Sequence, residues 1–251
     1  MSARFNIKYA FLSLFFIWGA VSAQDITDAS KKKSRVFNIS DRPKDHFMIQ
    51  LANVGWLEKP DTFSINALSR SVGVYLMLDL AFKTDPRFSI GLGAGVGSDH
   101  VFFNKGAGRD LVINSSQGVQ FKKNEGADAG IQYKSIKLHT AYLEAPVELR
   151  FMQKPDKPQK SFKFALGMKV GTLITAVDKT RFNRDAEGNG GYNSKIKDIR
   201  NFNSLRLAGV ARIGYGVFGA FVQYQLNDFI KEGQGPNQIR PLHIGITISG
   251  L

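Results

Sequence analysis

Cysteine is absent from all 251 residues. That excludes a secreted domain stapled by disulfides, thiolate metal sites and a Cys nucleophile. Beyond the first two dozen residues no apolar run approaches the roughly 20 residues a membrane helix needs, and no convincing amphipathic helical period appears. The four histidines, His46, His100, His139 and His243, make no close ligand pair in sequence. No metal or other cofactor is therefore expected. Acidic residues are also in deficit, 21 against 34 Lys and Arg, giving a formal net charge of +13.

The N-terminus has the build of an export signal. Arg4 and Lys8 precede an uncharged run from Tyr9 to Gln24 with "FLSLFFIW" at its heart, and Val21-Ser22-Ala23 forms a small-residue cleavage site. The apolar part is short for a spanning anchor, so residues 1–23 read as a cleaved signal peptide. Removing Arg4 and Lys8 leaves +11 on the mature chain. Such a charge invites a nucleic-acid reading. An exported protein rarely meets nucleic acid, however, and the basicity suits anionic outer-membrane lipid and lipopolysaccharide instead.

Residues 24–45 are polar and irregular, with "SKKKSR" and "DRPKD", and read as a flexible periplasmic segment. From 46 to 251 the text alternates. About eight stretches place apolar side chains at every second position, the signature of strands with one greasy face. One begins near Ser135 and contains "AYLEAPVELRF" (141–151), in which Ala141, Leu143, Ala145, Val147, Leu149 and Phe151 oppose Tyr142, Glu144, Glu148 and Arg150. In "RFSIGLGAGVG" (87–97) Phe88, Ile90, Leu92, Ala94 and Val96 oppose Ser89, Gly91, Gly93, Gly95 and Gly97. Further strands are expected near 46–56, 71–82, 162–174, 205–215, 218–226 and 239–249.

The links between strands decide which solvent the greasy face meets. Those near 57–70, 104–134, 178–200 and 228–238 are long, and those near 83–87, 152–161 and 214–217 are shorter, in strict alternation. Outer-membrane barrels have this asymmetry, with long loops outside and tight turns in the periplasm. Each shorter turn is flanked by aromatics that share the greasy face: Phe82 and Phe88, Phe151 and Phe162, Tyr215 and Phe218. Together they read as an interfacial girdle. The expected fold is therefore all-β, an eight-stranded antiparallel transmembrane barrel. Its lumen would hold a charge network of Asp79, Glu144, Glu148, Arg150, Lys163, Lys169, Arg206 and Arg212. Tyr75, Tyr142, Glu148 and Arg212 should plug so narrow a barrel.

These patterns resemble the PorT-like outer-membrane β-barrel proteins of Gram-negative bacteria. The resemblance rests on "YLEAPVELRF" (142–151), "FALGMKVGTLI" (164–174) and "IRPLHIGITISGL" (239–251), and it extends over roughly 46–251. It implies an integral outer-membrane barrel, some of whose relatives are linked to protein secretion across that membrane. It carries over no catalytic residue.

Three motifs point to other chemistry and fall short. "GLGAGVG" lacks the final glycine of a dinucleotide fingerprint and no helix pattern follows it. "DAEGNGG" (185–191) lacks the bidentate Glu of a calcium loop, since Ile196 stands at the twelfth position. His139 with Ser135 could serve a lipid-modifying enzyme, although nothing in their spacing demands it. The expectation is a non-enzymatic barrel, structural, surface-interacting or secretion-associated, acting through loops near 104–134 and 178–200. Its partners would be outer-membrane lipid, lipopolysaccharide and other envelope or secretion proteins. A lipid-modifying enzyme and a narrow channel are the alternatives.

Overall fold

A computed structural model of the chain describes residues 45–59, 65–103, 109–114, 118–123, 133–182, 191, 193–236 and 238–249. The expected signal peptide, the polar segment up to residue 44 and most of "DAEGNGG" lie outside the described residues.

Alternating side chains demand extended backbone, and a greasy outer face demands that no strand edge be left open. The chain meets both demands. Eight strands follow one another around a closed antiparallel barrel: β1 (Asp45–Leu57), β2 (Arg70–Ala81), β3 (Phe88–Phe102), β6 (Tyr133–Met152), β7 (Phe162–Phe182), β9 (Leu205–Tyr215), β10 (Phe218–Gln225) and β11 (Arg240–Ser249). β1 pairs with β11 from Met48↔Ser249 to Leu57↔Arg240, which closes the ring. Between β3 and β6, the strands β4 (Arg109–Asn114) and β5 (Gly118–Lys123) form a separate hairpin, and β8 (Asn193–Lys197) extends the sheet beside the far end of β7.

Two long links thus contain regular structure that period alone left as loop. β7 was expected to stop near 174 and runs 21 residues, and β6 runs 20. A tilted transmembrane strand needs only about 9–11. Both strands therefore stand well clear of the hydrocarbon, with irregular pairing between Ala141 and Tyr142 where they change course.

The three shorter links are tight. Between β9 and β10 only Gly216 and Val217 intervene, and Gly216 takes a φ of 60° as a two-residue hairpin requires. Asp85 and Arg87 clamp the β2–β3 turn by a pair of hydrogen bonds at 3.0 and 2.7 Å. The Arg87 hydrogen bonds hold the Asp85 carboxyl below its ordinary range. A single 3-10 turn, Pro158–Lys160, sits in the β6–β7 link. Among the described residues no helix is long and apolar enough to cross a membrane.

Burial is inverted relative to a water-soluble protein. Leu76, Leu143, Leu149, Leu166 and Ile244 are all more than half exposed, whereas Glu144, Glu148, Lys169 and Arg206 are 1 or 2% exposed. Charges inside and leucines outside make sense only when lipid surrounds the barrel.

Candidate functional site

The lumen is built from alternate residues of all eight strands, and glycines make room for its large groups. Glu144 stands opposite Gly95 on β3 and Gly171 on β7, and Glu148 opposite Gly91 and Gly167. A Cβ on Gly97 would lie 3.0 Å from the Glu144 carboxylate. The space over the "GLGAGVG" face is thus filled from the two neighbouring strands, by Tyr75 and Met77 of β2 and by Glu144 and Arg150 of β6.

Near the short-turn end, Arg150 lies 2.9 Å from Glu148 and 3.6 Å from Asp79, while Arg212 reaches Glu148 at 2.5 Å. Ser89 Oγ donates to Asp79 at 2.6 Å. At mid-height, Lys169 Nζ donates to Gln50 Oε1, Gln223 Oε1 and the Tyr75 hydroxyl at 2.6, 2.8 and 2.9 Å, with Glu144 at 3.8 Å. Tyr75 in turn donates to Glu144 at 2.5 Å. One level higher, the Arg206 guanidinium bridges Glu144 and Asp99, stacks 3.7 Å over the Tyr142 ring, and leaves the other Asp99 oxygen to His243 at 3.1 Å.

Four carboxylates thus meet four cations: Asp79, Asp99, Glu144 and Glu148 against Arg150, Lys169, Arg206 and Arg212. Seven of the eight residues named from sequence are in these pairs. The eighth, Lys163, is half-buried at the short-turn end and shares with Asp79, Arg150 and Arg212 the wall of a cavity of about 70 Å³. Sequence reasoning missed Asp99, because the second face of β3 was followed only as far as Gly97. Its parity with Gly91 to Gly97 was the available signal. His243, Gln223 and Gln225 also reach into the network, to Asp99, Lys169 and Arg206.

Above the charges the lumen turns apolar, which alternation did not foreshadow. Trp56, Phe103, Phe202 and Phe229 pack together, with ring centroids 5.0 to 5.8 Å apart in contacting pairs. Ile230 and Ile239 from the link before β11, and Val119 of the β4–β5 hairpin, belong to the same buried cluster. Phe202 bridges Ile230, and the Val119 amide donates to Gln234 at 2.5 Å, so the links fold inward over the barrel mouth. A space of about 10 Å³ remains beside Lys169 and Glu144, about enough for one water.

The six aromatics flank the three short links. Phe82, Phe88, Phe162, Tyr215 and Phe218 are exposed on the outer face and Phe151 is half-buried between Phe88 and Phe164. His139 and Ser135 are not brought together. Four residues apart on one strand they are about 13 Å apart, and His139 Nε2 instead meets Ser98 Oγ at 3.0 Å and stacks on His100. The adjacent acid, Asp99, points into the lumen and is committed to Arg206 and His243. Nothing there supplies a base held by a carboxylate beside a nucleophile. Among the described residues no cluster of His, Asp and Glu could hold a metal ion.

A closed barrel with a lipid-facing exterior and a filled, ion-paired lumen defines an integral outer-membrane protein. Comparison with known proteins agrees. The model of the outer membrane protein beta-barrel domain family matches residues 47–231, and the chain belongs to that family. No curated protein matches it. Among solved structures the chain is similar to Ail, the attachment invasion locus protein of Yersinia pestis, at 13% identity and a TM-score of 0.31, over 82% of this chain and 97% of that one.

Proposed function

We propose that the protein is a non-enzymatic outer-membrane barrel that acts through the structures at its long-loop end, as a surface-interacting or secretion-associated component of the PorT-like kind. One observation carries this reading: the lumen side chains are committed to one another, four anions against four cations beneath an aromatic cap. A pore needs open, hydrated walls and a lipid enzyme needs an activated nucleophile. The barrel is then a rigid stand, and β4, β5 and β8 are what it presents to other envelope or secretion proteins. Residues 1–23 direct export and are then cleaved, and outer-membrane lipid and lipopolysaccharide surround the wall.

The test removes residues 109–123 and replaces them with a short linker in the otherwise intact chain. The barrel should still assemble, seen as heat-modifiable gel migration, while proteins that co-purify stoichiometrically with the tagged wild type are lost. Retention of every partner and phenotype would defeat the proposal.

A further inference from the structure

We infer that the outward face of the sheet at its long-loop end binds the phosphate groups of the outer leaflet's glycolipid. The inference rests on reading the long-loop end as the cell-surface end. Residues directly paired across strands point to the same side of a sheet. One such row runs Phe102 on β3, Lys137 on β6, Lys179 on β7 and Lys195 on β8. The row beneath it runs Arg70, His100, His139, Val177 and Lys197. Arg70 and the lysines of β7 and β8 are exposed. Lys137 and Arg70 both lie over the Phe102 ring, 5.8 and 5.9 Å from its centre.

Three lysines set directly opposite one another destabilise a sheet unless an anion lies among them. No outward position of β2, β3, β6, β7 or β8 among the described residues is Asp or Glu. On that face no described residue of these strands supplies a neutralising charge, which leaves the row open to an external anion.

The height of the rows says which anion. Twelve residues separate Phe88 in the aromatic girdle from His100, about 40 Å along the strand and ~28–32 Å across the membrane at a tilt of about 35–45°. An apolar band about 25 Å tall ends just short of this level. Directly below lie Ser98, Ala141 and Thr175, then the exposed Val96 and Leu143 of the greasy wall. A ligand with phosphates on the lysines and acyl chains on that wall matches both surfaces at once. A soluble polyanion matches only one.

The experiment uses the purified full-length protein in detergent, bisphosphorylated lipid A as probe and native mass spectrometry as readout. K137Q/K179Q/K195Q should bind at least about tenfold more weakly, since each basic residue near an anionic surface adds to attraction. Dephosphorylated lipid A should show the same loss with the wild type. Both proteins should keep heat-modifiable migration. Unchanged binding by the triple variant, or complete displacement by millimolar inorganic phosphate, would overturn the site. Orientation is read separately by labelling Leu68→Cys on intact cells with an impermeant maleimide. Labelling only after permeabilisation would overturn the proposal through its orientation, whereas surface labelling with unchanged lipid A binding would overturn the patch alone.

Discussion

Arg206 reaches from β9 across the lumen to Glu144 on β6, 3.0 Å away, and with its other nitrogen holds Asp99 on β3. One guanidinium therefore ties together three strands. Removing one partner from such a buried pair leaves a charge that the low-dielectric interior cannot compensate. Glu144→Ala should lower stability by about 3–5 kcal/mol. Glu144→Gln keeps a carbonyl acceptor and should lose less. Denaturant unfolding of the detergent-solubilised barrel, followed by heat-modifiable migration, gives both values. Equal stability for wild type and Glu144→Ala would show that the network does not hold the barrel together. The same logic applies to Glu148→Ala, which removes the carboxylate that Arg212 and Arg150 share.

Gly97 tests the space beside that network. Its Cβ would sit 3.0 Å from the Glu144 carboxylate, so Gly97→Val must push Glu144 off Arg206 or distort β3. Overpacking of this sort costs typically about 1–3 kcal/mol, with lost pairing added. Gly55 has nothing within 4 Å of an added Cβ, so Gly55→Val is the matched control and should cost much less. Comparable losses at the two positions would mean that strand flexibility, not room for Glu144, explains the glycine-rich face.

How far the sequence spoke depends on what each element has to satisfy. The eight barrel strands were readable because lipid on one side and a narrow lumen on the other force strict alternation, as in Leu143, Glu144, Ala145, Pro146 and Val147. Ion pairing was readable as a need, since Glu144 and Glu148 cannot lie unpaired inside. Which cation serves which acid was not, because shear between strands sets their heights and no single strand encodes it. The aromatic cap was hidden for another reason. Phe202, Phe229 and Ile230 lie outside the regular strands, where no period marks an inward side chain. Only the fold brings them to Trp56.

The lipid face makes a prediction opposite to the one a soluble protein would make. Leu76 is 51% exposed and six residues from Phe82 in the girdle, which places it near mid-membrane. In water, arginine at so exposed a position would be almost neutral. In a bilayer Leu76→Arg should cost about 2–4 kcal/mol. Reversible unfolding from lipid vesicles measures it. A change within about 0.5 kcal/mol would place this wall in water and contradict the membrane reading.

Conductance separates a plugged barrel from a narrow channel. Two successive barriers stand in the lumen: the ion-paired layer around Lys169 and Arg206, and the apolar layer of Trp56, Phe103, Phe202 and Phe229 above it. The ionic layer leaves about 10 Å³ free, too little for a hydrated ion to pass. Wild-type protein in a planar bilayer should therefore give no steady current. Phe202→Ala with Phe229→Ala should remain silent, because the ionic layer still blocks below. Adding Arg206→Ala to that pair removes the largest fully buried side chain among the described residues, and brief, irregular openings should then appear. Steady unitary currents from the wild type would refute the plug, and currents from the cap variant alone would show that the aromatic layer is the gate.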